Sequence, residues 1–231
     1  MKRILFLATF FVAALAIHAA DAKDEVLAAA KKLAEQPNYS WKSTSTTPTA
    51  SQFRPGPVNG KADKDGTIYI TLEMRDNLVE AVMKGEKGAI TNQDGDWESM
   101  SDLEKAEGPG RFRAGMLRNM KAPAVQAVDL AKGASELKKD GDAIAGDLTP
   151  DGAKEFMRFG RGGNGPEIKN AAGSVKYWLK DGSLAKYEYK VKGTINFNGE
   201  DRDIDRTTTV EISNVGSTKV TVPESAAKKM Q

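Results

Sequence analysis

An α+β fold built on a mostly antiparallel β-sheet, with an N-terminal helix and short covering helices, is what the sequence predicts. Three observations carry this. Apolar and polar residues alternate over most of the chain, as in Ile68-Tyr69-Ile70-Thr71-Leu72 and Tyr187-Glu188-Tyr189-Lys190-Val191, which is the period of a half-buried strand. Turn signals such as Lys64-Asp65-Gly66, Asp140-Gly141, Asp181-Gly182 and Asn198-Gly199 separate these runs at hairpin distances. Helical periodicity is confined to one stretch near the amino terminus and to short stretches in the middle of the chain.

The first structured element is a helix over 24–36, with Val26, Leu27, Ala30, Leu33 and Ala34 on one stripe and Pro37 ending it. From Tyr39 the period changes to two and a strand begins. Residues 46–61, with Pro48, Pro55, Gly56, Pro57 and Gly60, read as a loop. Strands follow over 68–74 and 78–84, then a hairpin of 89–92 and 97–99 around Gln93-Asp94-Gly95-Asp96. The middle is helical over 101–107 and 111–120, broken by Gly108-Pro109-Gly110, and again from Pro123 to Gly133. A hairpin over 137–148 leads to a short helix that Thr149 caps, with Phe156, Met157 and Phe159 on its apolar side. The last third is a meander with one oily and one charged face, through Val175, Tyr177, Leu179, Tyr187, Tyr189, Val191, Ile195, Phe197, Ile204, Val210 and Ile212, and a short final strand at Val220 and Val222.

The amino terminus has the layout of a secretory signal peptide: Lys2 and Arg3, an apolar run from Ile4 to Ile17, then small residues up to Ala22. The expected organisation is a signal peptide over 1–22, with Ala19 or Ala20 as alternative cleavage points, one β-rich domain over 23–223 and a tail over 224–231. The apolar run is too short to span a bilayer, and a chain without cysteine has no thiol for a lipid anchor or a disulfide. A periplasmic or secreted protein with no transmembrane segment in its mature chain is expected. The one histidine, His18, lies in the segment to be removed. The mature chain therefore lacks imidazole and thiol, which excludes the Ser-His-Asp and Cys-His nucleophile systems and the usual ligands of zinc, copper and haem. With 34 basic against 32 acidic residues the charge is nearly balanced, so no general attraction to nucleic acid follows. No catalytic residue, metal site or cofactor is assigned, and the chain is read as no enzyme.

Several motifs have ordinary explanations. Residues 160–165 carry the glycine spacing of a dinucleotide fingerprint, but a helix precedes them and Pro166 follows, where the fingerprint needs a strand and then a helix. Ser225 and Lys228 share the spacing of a Ser-Lys acyl enzyme without its partner motifs. Asp201, Asp203 and Asp205 alternate as calcium ligands would, yet Arg202 and Arg206 sit among them and no distal glutamate completes a loop. Paired carboxylates for glycan hydrolysis have no sequence signature that would locate them.

What remains is soft and aromatic surface. The best placed residues are Trp97, Met100, Phe112, Met116 and Met120, where the meander gives way to covering helices. Trp41, Ile70, Leu72, Met83 and Tyr189 are further candidates on the apolar strand faces, with core filling as the competing explanation for each.

The order of elements resembles the periplasmic LolA/LolB lipoprotein-carrier superfamily, including the LppX and LprG type of lipid binder. The local likenesses are Thr91-Asn92-Gln93-Asp94-Gly95-Asp96-Trp97, placed as the hairpin before the first lid helix, and 173–223, placed as the closing strands. The resemblance implies a curved open half-barrel wrapped around helices, holding acyl chains in an apolar cavity without chemistry or cofactor. It makes the leading expectation a non-catalytic carrier or sensor of lipid or lipoprotein acyl chains, enclosed between the sheet and the segment 97–120. A protein-interaction module of the cell envelope without a cavity, meeting an envelope protein partner, is the alternative, and a carboxylate-dependent glycan hydrolase the third.

Overall fold

The computed structural model describes residues 11–48, 56–74, 77–158, 166–197 and 199–231. Its strands are β1 (Asn38–Thr46), β2 (Val58–Asp63), β3 (Thr67–Met74), β4 (Asn77–Lys84), β5 (Lys87–Thr91), β6 (Trp97–Ser99), β7 (Lys138–Asp140), β8 (Ala143–Leu148), β9 (Ile168–Lys180), β10 (Ser183–Phe197) and β11 (Glu200–Ser213). The helices are α1 (Phe11–Ala34), α2 (Met100–Lys105), α3 (Pro109–Arg118), α4 (Pro123–Gly133), α5 (Pro150–Met157) and α6 (Glu224–Lys229). All strands join one antiparallel sheet in the order β6-β5-β4-β3-β2-β1-β11-β10-β9-β8-β7. The sheet is open and curved. Its two edges, β6 and β7, are three residues long, and β7 is the exposed run Lys138-Lys139-Asp140, a short charged edge of the kind that discourages pairing with another chain.

Because side chains alternate across a strand, the sheet has an inner face covered by α1 to α5 and an outer face. The main core lies on the inner face, where Val26, Ala29, Ala30 and Leu33 of α1, Ala127, Leu130 and Ala131 of α4, and Ala153 and Met157 of α5 meet Trp41, Val175, Tyr177, Tyr187, Tyr189, Val191 and Val210. A second inner cluster joins Ala81, Met83 and Ile90 to Met100, Leu103, Ala114 and Leu117, and Ile70 borders both clusters. On the outer face, Val82, Ala89 and Trp97 are covered by Ala226 of α6 with Val222 and Met230 beside it. Elsewhere that face carries polar partners: Lys176 pairs with Asp140 at 2.7 Å, Lys190 with Asp205 at 3.0 Å, and the Lys186 ammonium stands 4.7 Å over the Trp178 ring.

The structure departs from the sequence reading at five places. The first helix is α1, which starts at Phe11 rather than at 24 and runs unbroken to Ala34. Residues 58–61, the end of the stretch whose prolines and glycines suggest a loop, belong to β2, a central strand. Val220 and Val222 belong to no strand, because the chain from 214 to 223 runs irregularly. Residues 224–229, expected as a tail, form α6, whose Ala226 is fully buried. Pro109 and Gly110 are the first turn of α3 rather than part of a break, Pro109 being tolerated where the helix has no use for its N–H. Phe159 and the glycine run 160–165 lie outside the described residues.

Candidate ligand-binding site

The inner face over β3, β4 and β5 is set by register. Ile70 lies opposite Ala81, and Ala81 opposite Ile90, while Leu72 lies opposite Val79. These pairs form two adjacent apolar rows, and α2 and α3 lie over them. Ser99 starts α2 with extended backbone and accepts the Asp102 N–H at 3.1 Å, so the hairpin ends directly in a capped helix. Gly108, with φ of 60°, reverses the chain between α2 and α3. Arg113 of α3 pairs with Glu98 of β6, and Arg118 with Glu104 of α2 at 2.8 Å. The two helices are thus tied to each other by a half-exposed ion pair, a weak kind of attachment, and to the edge strand by a less exposed one.

Between these rows and α3 is an apolar cavity of about 100 Å³ lined by Ile70, Leu72, Val79, Ala81, Ile90, Met116, Leu117, Asn119 and Met120. Two larger hollows flank α6. One of about 660 Å³ is lined by Met83, Met100, Met120 and Met230 together with Glu86, Lys87, Glu104, Arg118, Lys121 and Lys229. The other, of about 500 Å³, lies between Asp63, Asp65, Thr67, Lys84 and Lys87 on the sheet and Val222, Ala227 and Met230. The charged walls of the first suit it poorly to an acyl chain, while the second is mixed, its charged sheet side facing the apolar Val220, Val222, Ala227 and Met230.

The sequence candidates divide among these places. Ile70, Leu72, Met116 and Met120 come together at the apolar cavity. Met83 and Met100 are buried in the neighbouring cluster and reach the methionine-lined hollow. Trp41 and Tyr189 lie in the main core, where Trp41 packs on Gly60 and Tyr189 on Phe156 with ring centroids 5.4 Å apart. Trp97 is on the outer face under α6, away from the cavity, because the alternation that turns Ile90 inward turns Ala89 and Trp97 outward. Phe112 stands on α3, and its side chain lies outside what the structure describes. Val79, Ala81, Ile90 and Leu117 also line the cavity. Their signal was the register of the β3-β4-β5 meander, which a count of aromatic and methionine residues does not read.

Ionisation is perturbed mainly in the main core, away from the cavity. Burial pushes Tyr39 up to about 12 and raises Tyr177 and Tyr187 further. These phenols therefore stay protonated at neutral pH and act as donors: Tyr177 Oη donates to the Ala127 carbonyl at 3.1 Å, and Tyr187 Oη to Gln126 Oε1 at 2.6 Å. Both hydroxyls pin α4 to the sheet. Tyr69, on the outer face, is raised to about 12 by burial and by its hydrogen bond to Glu80, and Asp65 is held down to about 2, chiefly by Lys84. The alternating aspartates are engaged separately: Asp201 accepts from Asn196 at 2.6 Å and pairs with Lys169 at 3.8 Å, Asp203 accepts from Thr194 at 2.8 Å, and Asp205 meets Lys190. Among the described residues no three His, Cys, Asp or Glu side chains are grouped to hold a metal.

Among the described residues no helix is long and apolar enough to cross a membrane. No family model matches the sequence, and no curated protein matches it. Solved structures similar to this chain over most of its length are found. The chain is similar to the lipoprotein LppX of Mycobacterium tuberculosis at 10% identity and a TM-score of 0.46, covering 87% of this chain and 98% of that one. It is similar to LprF of Mycobacterium bovis at 14% identity and a TM-score of 0.47, covering 90% and 98%. A LolA superfamily protein of Nitrosomonas europaea matches at 8% identity and a TM-score of 0.36, covering 93% and 97%.

Proposed function

We propose that this protein is a non-catalytic carrier or sensor that holds lipid or lipoprotein acyl chains against the inner face of β3 to β5 beneath α2 and α3, and that it works in the cell envelope after removal of residues 1–22. The observation that supports this is the apolar cavity under α3, walled by Ile70, Leu72, Val79, Ala81, Ile90, Met116 and Met120. Burying hydrocarbon needs no nucleophile, metal or cofactor, only apolar area removed from water at about 25 cal/mol per Å². A volume of about 100 Å³ is below the roughly 300–1,000 Å³ of ordinary ligand pockets. Loading therefore requires α2 and α3 to swing off the sheet. Such a motion would break the ion pair of Arg113 with Glu98 and uncover the buried Leu103, Ala114 and Leu117, with Gly108 as its hinge. The adaptable Met116 and Met120 side chains would follow the ligand.

Native mass spectrometry on mature protein purified from its own envelope without detergent, before and after organic extraction, tests the reading. Added mass that extraction removes and that analyses as acyl lipid is the expected result. A bare polypeptide mass, with no uptake of a fluorescent fatty acid by the extracted protein, would leave an interaction module with a filled core as the better description.

A further inference from the structure

On the inner face of β11 the alternating positions are Val210, Thr208, Arg206 and Ile204: Val210 and Thr208 are buried, and Ile204 packs on the main core. A cation thus sits within an otherwise apolar and hydroxyl-bearing stretch. Its Nη2 donates to the Phe156 carbonyl of α5 at 2.7 Å, while Nε is buried and has no acceptor. Among the described residues no carboxylate forms an ion pair with it, and the neighbouring Asp205 points to the outer face, where it meets Lys190. A guanidinium half out of water with an unanswered N–H is costly unless an acceptor reaches it. Capping the end of α5 uses one of its five N–H groups and leaves the rest of the planar fork.

Register connects Arg206 to the cavity. Val79, Leu72, Val58, Ser43 and Val210 lie opposite one another in sequence across β4, β3, β2, β1 and β11. Leu72 and Val79, at one end of that row, line the cavity. Two residues further along the strands Ser45 lies opposite Thr208, their hydroxyls 3.0 Å apart, and two residues beyond that comes Arg206. At roughly 3.3 Å per residue Arg206 is about 13 Å along the strand from Val210, and Val210 is three strand spacings, about 14 Å, across the sheet from Leu72. The inner face therefore passes from hydrocarbon through hydroxyls to a cation, the polarity profile of an anionic amphiphile.

Resting on the carrier reading above, we infer that Arg206 receives the anionic headgroup, carboxylate or phosphate, of the molecule whose chain enters beneath α3. The oxyanion accepts from Nε and a terminal nitrogen of the fork, the geometry that favours arginine over lysine for such groups.

Displacement of the neutral probe N-phenyl-1-naphthylamine from extracted full-length mature protein tests this, with dodecanoate, dodecyl phosphate and dodecanol as competitors. The two anions are expected to displace the probe at a concentration at least about tenfold lower than dodecanol. In R206Q that advantage collapses while dodecanol is unchanged, which also shows that the variant is folded; R206K, which keeps the charge and can still reach the Phe156 carbonyl, falls between. An anion-to-alcohol ratio that survives in R206Q would overturn the inference and leave the cavity reading standing. If inorganic phosphate alone stabilises the protein through Arg206 as strongly as dodecyl phosphate does, the site is one for a free anion and the headgroup assignment is wrong. If no competitor displaces the probe and no probe binds, the carrier reading fails and this inference with it.

Discussion

The inner face is covered by two sets of helices, and they are built differently. Over β8 to β11, α1, α4 and α5 interlock closely. Gly133 and Gly152 let the end of α4 and the start of α5 touch backbone to backbone, since a Cβ on Gly152 would lie 2.3 Å from the Gly133 carbonyl oxygen. Tyr177 and Tyr187 bolt α4 down from below, and Leu33, Ala127, Leu130 and Ala131 are fully buried. Over β3 to β5, α2 and α3 bury Met100, Leu103, Ala114 and Leu117 against the sheet, are joined by the pairs of Arg113 with Glu98 and Arg118 with Glu104, and leave a cavity against methionines. Packing to crystal-like density gives rigidity, and a void forfeits it. The difference teaches where the proposed opening belongs: the α1-α4-α5 side is a filled foundation, and the α2-α3 side leaves a void.

The harshest way to break that comparison is to open a hole in the foundation. Leu130→Ala removes a fully buried side chain between α1, α4 and the sheet, and neighbours held this tightly cannot collapse into the space. A loss of about 2–5 kcal/mol is expected, read as a lower urea midpoint at unchanged slope. A loss under about 1 kcal/mol would mean that α4 is no more tightly packed than α3.

How much of this contrast the sequence could show depends on which physics carries it. The hairpins were legible because period-two alternation and Asp-Gly or Lys-Asp-Gly turns are local signals, and so was α5, with Thr149 accepting the Gly152 N–H at 3.0 Å and Pro150 following. β2 was not legible, and its partner explains why. Gly60 lies opposite Trp41, and a Cβ there would stand 2.1 Å from the indole ring. The strand must be small on its inner face, so Val58, Gly60 and Ala62 carry little apolar pattern. α6 was hidden for a related reason: only Ala226 is fully buried in it, a single residue that gives no periodicity. Around the cavity, Met116 and Met120 were read as soft surface on the helical segment, and Ile70 and Leu72 as apolar residues of a strand face. Trp97 was misplaced because nothing local tells which face of a three-residue strand is inner.

A smaller effect sharpens the comparison by adding volume instead of removing it. Ala127 is fully buried on α4, and its carbonyl receives the Tyr177 hydroxyl. Ala127→Val has no space to occupy and should cost about 1–3 kcal/mol, by overpacking and by the poorer helix propensity of a β-branched residue. Thermal unfolding would show it. A neutral outcome would reveal slack under α4.

The same change at Ala81 should behave oppositely. Ala81 is as buried as Ala127, at 1% exposure, yet it faces the cavity between Ile70, Ile90 and Met120. Two added methyl groups project into about 100 Å³ of space, where each buried carbon is worth about 0.8 kcal/mol before any strain. Valine also suits a strand. Ala81→Val is therefore expected to leave stability unchanged or raise it by up to about 1 kcal/mol, while weakening uptake of a fluorescent fatty acid, because the volume the chain would enter is partly filled. The two readouts must move apart. Destabilisation equal to that of Ala127→Val would mean that the cavity walls are as rigid as the foundation and do not receive a side chain, still less an acyl chain. Unchanged uptake with raised stability would place the ligand elsewhere on the inner face.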